Sequence, residues 1–399
     1  MSDSRETLQI AMDAHRAGRL DDAEAGYLQC LAAQPTDPDA LHFLGLLRLH
    51  QNRPDEAIEL VTRSVAVLPT NPHAWNNLGN LLLNAGRDDE AIAAYERAAN
   101  LAPDMVQAIY NLGVILRRRR RVDDAITTFM RVIAANPSYT PAYENLASLL
   151  YRMGRTDDVA TVYRRWLEVD PDNPIARHMA VATSGGEAPD RADAEYLTST
   201  YDEFADSFDF SLKRLDYAAP QLIASALGEH VDFGRRSLDI LDAGCGTGLC
   251  GLLLRSTART LVGVDLSRAM LEKARQREIY DELVQGDLCE FMRSRPLTFN
   301  VIVSGDTLIY FGALDEPFTA ALDALRPGGV LAFTLEVAPP GSPEDRVLLD
   351  NGRFAHARSY VEERLATAGF DTTQIENAVL RKEVGRNVDG LLVLARAPA

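Results

Sequence analysis

The residues whose types and spacing point most directly to chemistry lie in one segment, Leu238 to Gly251, which reads LDILDAGCGTGLCG. Hydrophobic positions typical of a strand lead to Asp242, and glycines follow at alternate positions before an apolar helix begins. Glycine is favoured where the backbone must adopt a positive φ and approach a ligand, and the first turn of a helix offers unpaired N–H groups. The segment therefore predicts a turn that cradles a nucleotide.

A second acidic residue, Asp265, stands near the end of the next predicted strand, Leu261 to Leu266 (LVGVDL). A carboxylate at that point can bind the two hydroxyls of a ribose. Sites for NAD, FAD and S-adenosylmethionine all combine a glycine turn with such an acid. Asp242 favours S-adenosylmethionine, because a carboxylate just ahead of the turn would repel a pyrophosphate but attract a sulfonium and an ammonium.

The segment from Leu238 to Gly251 resembles motif I of class I S-adenosylmethionine-dependent methyltransferases, which is written D/E-x-G-x-G-x-G.

Further strand candidates follow at 282–287, 299–306 and 325–336. Strands that alternate with helices predict an α/β, doubly wound, Rossmann-like domain. Ligands of such sheets bind at the carboxyl ends of the strands. The resemblance assigns Asp287 to the adenine amino group. The expected cofactor contacts are Tyr201, Asp242, Gly244, Cys245, Gly246, Gly248, Asp265, Leu266, Met270, Asp287 and Leu288.

The amino-terminal part of the chain repeats with a period of 34 residues. Five blocks follow one another without insertion, and each closes on a proline in the same register: Pro35, Pro69, Pro103, Pro137 and Pro171. The period and the register resemble the tetratricopeptide repeat, which implies an α-solenoid, a superhelix of helix pairs whose concave surface binds a peptide or protein partner. We expect five repeats and a capping helix over 1–182, a linker over 183–198 and the methyltransferase domain over 199–399.

Two groups of polar residues in the repeats are candidates for partner binding. Asn77, Asn111 and Asn145 recur in one column. They either bond within the solenoid or form a ladder of amides for the backbone of an extended peptide, an arrangement that resembles the tetratricopeptide region of O-GlcNAc transferase. Arg117 and Arg118 open a run of five arginines, which is either a solvated cluster at a helix end or a site for an acidic segment of a partner.

An aromatic-rich segment follows the repeats and reads TSTYDEFADSFDFSLKRLDY. It resembles the opening of a group of predicted methyltransferases that are fused to tetratricopeptide repeats, and the resemblance continues at 306–312 (DTLIYFG), 353–356 (RFAH) and 380–383 (LRKE). We expect a lid that excludes water from the cofactor, with Tyr201 as a cofactor contact and Tyr217 as a substrate contact. Alternatively, Phe204, Phe208 and Tyr217 only pack a helix against the sheet.

Methyl transfer is an in-line displacement, and it needs a general base only when the nucleophile carries a proton. His356 and Asp306 are the candidate bases, and Tyr310 is a candidate orienting hydroxyl. His356 precedes a predicted helix over 360–369, where a loop could place it over the pocket, although the favoured interpretation of this residue is a structural histidine. Ser304 to Thr307 replaces the Asn/Asp-Pro-Pro-Tyr sequence that serves planar amide or adenine nitrogens, which argues against those acceptors.

Composition excludes several classes of function. The net charge of −17 disfavours DNA and RNA as partners, because nucleic-acid binding depends on neutralising phosphates. The four cysteines show no CxxC spacing, which argues against a metal site. No apolar run reaches the roughly 18 residues of a membrane helix, and the first residues do not read as a signal peptide, so we expect a cytoplasmic protein.

The sequence thus predicts an S-adenosylmethionine-dependent methyltransferase whose repeats recruit a peptide or protein substrate. The alternative is a small-molecule O- or N-methyltransferase whose repeats serve only protein assembly. A third interpretation, an inactive scaffold, is disfavoured by the intact Asp242, glycine turn and Asp265. The identity of the methyl acceptor and the oligomeric state stay open at this stage.

Overall fold

The computed structural model describes residues 2–230, 236–342, 344–383 and 385–399. The chain divides into two compact units, Met1–Val162 and Tyr163–Ala399. We describe each unit by itself.

The first unit is built from helices joined by short turns. Each successive pair of helices occupies one 34-residue block, as the sequence predicts. Proline begins several of these helices, where its missing N–H needs no partner. The helices are α1 (Ser2–Arg16), α2 (Leu20–Ala33), α3 (Pro38–His50), α4 (Pro54–Val67), α5 (Pro72–Asn84), α6 (Asp88–Leu101), α7 (Val106–Arg118), α8 (Val122–Ala135), α9 (Thr140–Arg152) and α10 (Thr156–Val169), the last of which continues into the second unit.

Small residues let the two helices of a repeat touch. A Cβ atom on Gly79 would lie 2.6 Å from the ring of Tyr95, and one on Gly113 would lie 2.7 Å from the ring of Phe129. Both rings are fully buried. In these two repeats a glycine of the first helix therefore packs directly against a buried aromatic ring of the second helix.

The second unit opens with helices and continues as an α/β sheet. Its helices are α11 (Pro174–Ser184), α12 (Ala194–Phe204), α13 (Phe208–Arg214), α14 (Ala219–Gly228), α15 (Leu249–Leu254), α16 (Arg268–Arg275), α17 (Leu288–Arg293), α18 (Asp315–Ala324) and α19 (Arg358–Ala368). Its strands are β1 (Leu238–Ala243), β2 (Ala258–Asp265), β3 (Glu282–Gln285), β4 (Phe299–Ser304), β5 (Leu325–Val337), β6 (Arg346–Leu348), β7 (Phe354–His356), β8 (Asp371–Glu383) and β9 (Arg386–Arg396).

The strand order is β3-β2-β1-β4-β5-β7-β6, and the pairs from β3 through β5 to β7 are parallel. This confirms the predicted doubly wound sheet. Successive residues of a strand face opposite sides of the sheet and enter two different hydrophobic clusters, as Ile240 and Leu241 do. Both faces of the sheet are therefore covered.

The sequence did not predict one part of this sheet, the pair β8 and β9. Strand β9 runs antiparallel to both β5 and β8. Strand β8 therefore runs in the same direction as β5, and its last residues, Arg381 and Glu383, reach the edge of the sheet where β5 ends.

The segment predicted as a linker is partly helical and partly paired. Helix α11 ends at Ser184 and α12 begins at Ala194. Between them, Arg191 forms an isolated β-bridge with Phe311. Among the residues that the structure describes, no helix has the length and apolar character needed to span a bilayer.

Candidate functional site

A cavity lies where the parallel strands end. Its wall combines residues from the glycine turn, the strand ends, the aromatic helices α12 and α13, and the end of β8. Eight of the predicted cofactor contacts line it: Tyr201, Gly244, Gly246, Asp265, Leu266, Met270, Asp287 and Leu288. Three others, Asp242, Cys245 and Gly248, do not.

Gly244 and Gly246 have different structural roles in the turn. Gly246 has a φ of 52°, and a Cβ atom there would meet only the ring of Phe208, at 3.9 Å. Gly244 instead leaves room for Thr307, whose Oγ1 would lie 2.2 Å from an added Cβ atom. Gly246 is therefore the position at which the turn leaves open space beside the cavity, and Gly244 serves the packing of the turn against the residues after β4.

Asp242 lies behind the turn and not in the cavity. Its side chain is 1% exposed, and its Oδ2 accepts a hydrogen bond of 2.6 Å from the hydroxyl of Tyr280. Burial raises the pKa of Asp242 to about 7, although the Tyr280 hydroxyl and the Gly251 N–H oppose the shift. The sequence predicts that Asp242 faces the sulfonium; the structure shows its side chain buried and bonded to Tyr280.

Tyr280 is a residue that sequence reasoning missed. A Cβ atom on Gly251 would lie 2.3 Å from its hydroxyl, and one on Gly248 or Gly263 would lie 3.0 Å from its ring. Burial raises the pKa of Tyr280, so the hydroxyl stays a neutral donor to Asp242. Glycines at 251 and 263, where no ligand approaches, were the sequence signal that a large side chain packs there.

Asp265 joins the turn to the helix after β2. Its Oδ2 accepts from the N–H of Gly246 at 2.8 Å, and its Oδ1 accepts from the N–H of Ser267 at 2.9 Å. Burial raises the pKa of Asp265, while these two N–H groups favour the ionised form. The carboxylate lines the cavity beside Leu266 and Met270.

Asp287 caps helix α17. Its Oδ1 accepts from the N–H groups of Cys289 and Glu290, at 2.9 and 3.0 Å. Its Oδ2 lies 2.6 Å from a guanidinium nitrogen of Arg191. Burial acts to raise the pKa of Asp287, but the Glu290 N–H and Arg191 outweigh burial and keep the pKa below its ordinary value.

The aromatic helices line one side of the cavity and are fixed by aspartates. Asp202 accepts from the hydroxyl of Ser267 at 2.5 Å and from the N–H of Ala269 at 3.1 Å. Asp209 accepts from the hydroxyl of Thr247 at 2.6 Å. These bonds hold α12 and α13 against the turn and α16, with the rings of Tyr201, Phe204 and Phe208 on the cavity side.

At another part of the wall, three distant sequence segments meet. A set of ion pairs, which we call the arginine network, joins five residues: Asp306, Glu336, Glu383, Arg353 and Arg381. Arg381 pairs with Asp306, Glu336 and Glu383. Arg353 lies 2.6 Å from Glu336 and 2.7 Å from Glu383. The segments at 306–312, 353–356 and 380–383 are thereby brought together, with all of the network except Glu336 lining the cavity.

Beside the arginine network, the hydroxyls of Tyr201 and Tyr310 are hydrogen-bonded to each other. Burial raises the pKa of Tyr201 to about 12, and it raises the pKa of Tyr310 well above its ordinary value. Burial also acts to raise the pKa of Glu383, but Arg353 and Arg381 outweigh it and lower that pKa. At neutral pH this part of the wall therefore presents neutral phenols and an ionised carboxylate.

The structure does not bring His356 to the cavity. Its side chain is fully buried on β7, and its Nε2 lies 3.2 Å from the carbonyl oxygen of Gly312. Its ring stacks on Tyr360, with the ring centroids 5.9 Å apart. Burial lowers the pKa of His356 to about 4, so the ring is neutral. The expectation that a loop places His356 over the pocket is corrected, because the residue lies inside the sheet. Tyr217 does line the cavity, close to Asp306.

The asparagines of the first unit bond within the solenoid. The amide nitrogen of Asn77 lies 2.9 Å from Nε2 of His42. Asn111 donates to Asn80 at 3.1 Å, and Asn145 donates to the hydroxyl of Tyr110 at 3.2 Å. Each bond links one repeat to the preceding repeat, which favours the structural interpretation over a peptide ladder.

Of the two arginines that we singled out in the repeats, Arg118 faces Asp88 at 3.4 Å. Arg117 is exposed, and no carboxylate pairs with it in the described ranges. In the same ranges, no cluster of His, Cys, Asp and Glu is arranged to hold a metal ion, and the four cysteines are free and buried.

Comparison with known proteins supports both halves of this description. The family described as "Methyltransferase domain" matches residues 240–329, and the family described as "Tetratricopeptide repeat" matches segments from residue 8 to residue 174. The chain carries a methyltransferase domain preceded by tetratricopeptide repeats.

Several relatives of the methyltransferase domain are curated. The malonyl-[acyl-carrier protein] O-methyltransferase of Enterobacter lignolyticus is 32% identical over 146 residues, which are 32% of this chain and 57% of the relative. The 18S rRNA (guanine-N(7))-methyltransferase of Bos taurus is 40% identical over 65 residues, 16% of this chain and 23% of the relative. The chain therefore spans little more than half of the first relative, and less than a quarter of the second.

Among solved structures, an S-adenosylmethionine-dependent methyltransferase from Mesorhizobium loti shares 24% identity with this chain. The match covers 43% of this chain and 96% of that one, with a TM-score of 0.36.

Proposed function

We propose that this chain is an S-adenosylmethionine-dependent methyltransferase, and that its repeats bind a peptide or protein that carries the methyl acceptor. The use of S-adenosylmethionine is supported by one observation. The open space beside Gly246 and the carboxylates of Asp265 and Asp287 lie in the same cavity. A nucleoside needs these groups: an acceptor for the ribose hydroxyls, an acceptor for the adenine amino group and room beside the backbone.

The residues present fit this cofactor. Asp265 would hold the ribose hydroxyls, Asp287 would accept from the adenine amino group, and Leu266, Met270 and Leu288 offer apolar surface to the base. When bound, S-adenosylmethionine supplies a methyl group on a positively charged sulfur. The aromatic side chains of α12 and α13 reduce the access of water, which strengthens electrostatic interactions inside the cavity.

We assign the acceptor to the part of the wall that Tyr201, Tyr310 and the arginine network form. The phenols are neutral, and the carboxylates of the network are bonded to guanidinium groups, so neither group is suited to remove a proton from an alcohol. The chemistry that fits is transfer to a nucleophile that needs no base, which is a carboxylate or an unprotonated amine. In this proposal Asp306 and Tyr310 orient the acceptor.

One observation favours the alternative, a small-molecule methyltransferase whose repeats only assemble a complex. The side-chain amides of Asn77, Asn111 and Asn145 each form a hydrogen bond within the solenoid, which weakens the ladder as support for peptide binding. The relatives do not decide between the two, because one is named for O-methylation on a carrier protein and the other for methylation of a guanine nitrogen.

Calorimetry on the full chain tests the cofactor. We expect saturable binding of S-adenosylmethionine and of its demethylated product, and no binding of NADH. Binding of NADH without binding of either sulfur nucleoside would overturn the proposal.

Transfer of a tritiated methyl group tests the acceptor. The full chain is incubated with labelled cofactor and with either a protein fraction or a metabolite fraction of cells, and the Asp265→Ala variant serves as the blank. Label in protein supports the recruiting role of the repeats, whereas label in metabolites alone supports the alternative.

A further inference from the structure

Residues 190–192 form a short strap along the edge of the cavity. The N–H of Ala192 donates to the carbonyl oxygen of Tyr310 at 2.8 Å, and the N–H of Ala313 donates to that of Asp190, also at 2.8 Å. Arg346 adds a bond of 2.9 Å to the Asp190 carboxylate. One backbone hydrogen bond on each side of Arg191 fixes the direction of its side chain. Both Arg191 and Ala192 line the cavity.

The side chain of Arg191 reaches the carboxylate that we assign to adenine. A guanidinium nitrogen lies 2.6 Å from Oδ2 of Asp287, and the guanidinium carbon lies 5.2 Å from the centre of the Phe311 ring. Glu316 is a more distant partner, at 3.7 Å. The contact with the aromatic ring and the ion pair together hold the guanidinium in one place.

The bonds of Asp287 leave one specific acceptor position. Its Oδ1 already accepts from two N–H groups of α17, which uses both lone pairs of that oxygen. Its Oδ2 accepts from Arg191 and keeps a second lone pair. Arg191 also favours the ionised carboxylate, which can only accept hydrogen bonds.

From this geometry we propose that Arg191 is a positioning residue for recognition of the adenine amino group, an inference that rests on the proposed cofactor. Arg191 holds Oδ2 of Asp287 in place at the cavity wall, so that the site accepts a base with an amino group and rejects one with a carbonyl oxygen at the same position. Two acceptors would face each other in the rejected complex, and an unpaired buried acceptor of this kind corresponds to roughly a 10- to 100-fold loss of affinity.

The test compares two ligands that differ at that position, S-adenosylhomocysteine and S-inosylhomocysteine, by calorimetry on the full chain. We expect the wild type to prefer the adenosine compound by at least about 10-fold. The Arg191→Ala variant should reduce the preference to within about 3-fold, and Arg191→Lys should restore part of it, because an ammonium can pair with Asp287 but lacks the planar fork. The matched control is Arg346→Ala, which removes the arginine of β6 that bonds Asp190 of the strap and should keep the preference.

The Asp287→Asn variant separates this inference from the proposed cofactor. Helix capping requires the amide oxygen to face α17, which turns the amide nitrogen, a donor, toward the base and toward Arg191, so this variant also loses the ion pair with Arg191. We expect that variant to prefer the inosine compound. If Asp287→Asn shifts the preference while Arg191→Ala and Arg191→Lys keep that of the wild type, Arg191 has no such role, although the cofactor proposal stands. If the wild type binds neither compound, the cofactor proposal fails, and the role of Arg191 fails with it.

Discussion

Replacing Tyr280 by phenylalanine should destabilise the second unit more at alkaline pH than at acidic pH. The variant keeps the ring that fills the space left by Gly251 and Gly263, and it removes only the hydroxyl that donates to Asp242 at 2.6 Å. The cost therefore reports the energy of one hydrogen bond to a buried carboxyl group.

The size of the effect depends on the charge of Asp242. Its pKa is about 7, so the group is mostly protonated at pH 5.5 and mostly ionised at pH 8.5. A bond to a neutral group contributes about 1 kcal/mol, and a bond to an ionised group contributes about 1.5–3 kcal/mol. Because 1 kcal/mol shifts the melting temperature of a domain of this size by roughly 2–4 °C, we expect losses of about 3 °C at pH 5.5 and about 5–9 °C at pH 8.5.

The sign follows from the proton balance of folding. A folded pKa of about 7, against 3.8 for an ordinary aspartate, means that the folded state binds the proton more tightly than the unfolded state does. The contribution of Asp242 to stability is therefore complete below pH 4 and is lost as pH rises toward 7 and beyond. Removing the Tyr280 hydroxyl takes away a bond that opposes this shift, so the pKa rises further and the loss with pH becomes steeper.

Differential scanning calorimetry at the two pH values measures the effect. Tyr360→Phe is the matched control, because its hydroxyl meets an uncharged partner, the N–H of Leu314, at 3.4 Å. That variant should lose the same amount at both pH values. A Tyr280→Phe variant whose loss is equal at pH 5.5 and pH 8.5 would refute the assignment of an ionisable, hydroxyl-bonded Asp242.

Three further predictions follow from the positions of single residues. Asp265→Ala should weaken binding of S-adenosylhomocysteine by roughly 100-fold, because two hydrogen bonds to a charged group are lost; calorimetry showing less than a 5-fold change would contradict the ribose assignment. His356→Ala should cost about 2 kcal/mol of stability, since a buried ring is removed, yet leave turnover of the folded protein within about 3-fold; a larger fall in steady-state rate at unchanged melting temperature would speak for catalysis. Asn111→Ala should destabilise the repeats by about 1 kcal/mol in urea unfolding without changing cofactor affinity; an unchanged unfolding midpoint would show that the bond to Asn80 contributes nothing.

The parts of the fold that local pattern encodes were predictable. Strands that end in or are followed by an acid read directly from the sequence, and the structure places Asp265 and Asp287 in the wall of the cavity. The repeats were predictable for the same reason, because each block contains its own helix starts and its own closing proline. The pair β8 and β9 escaped because strand pairing depends on partners far away in sequence, which alternation within a strand does not reveal.

The placement of Asp242 shows what the sequence argument left out. That argument weighed the charge of the ligand but not the direction of the side chain. Alternate residues of a strand face the same way, so Asp242 shares a face with Ile240, and Ile240 belongs to the hydrophobic cluster against which Tyr280 packs. The alternation within β1 therefore contained the information that Asp242 lies on the face against which Tyr280 packs.

The arginine network is costly for a structure that needs only stability. Glu336 and Arg381 are almost completely buried, and buried ion pairs often contribute no more than apolar residues of the same volume would. Five charged groups lie beside two neutral phenols at the wall of the cavity. This arrangement is better explained by the proposed role in placing the methyl acceptor. Because the guanidinium groups hold the carboxylates as fixed partners, the network is suited to orientation rather than to proton transfer. Orientation alone is worth up to roughly 7–11 kcal/mol in a displacement reaction, which is enough for an acceptor that arrives with its lone pair free.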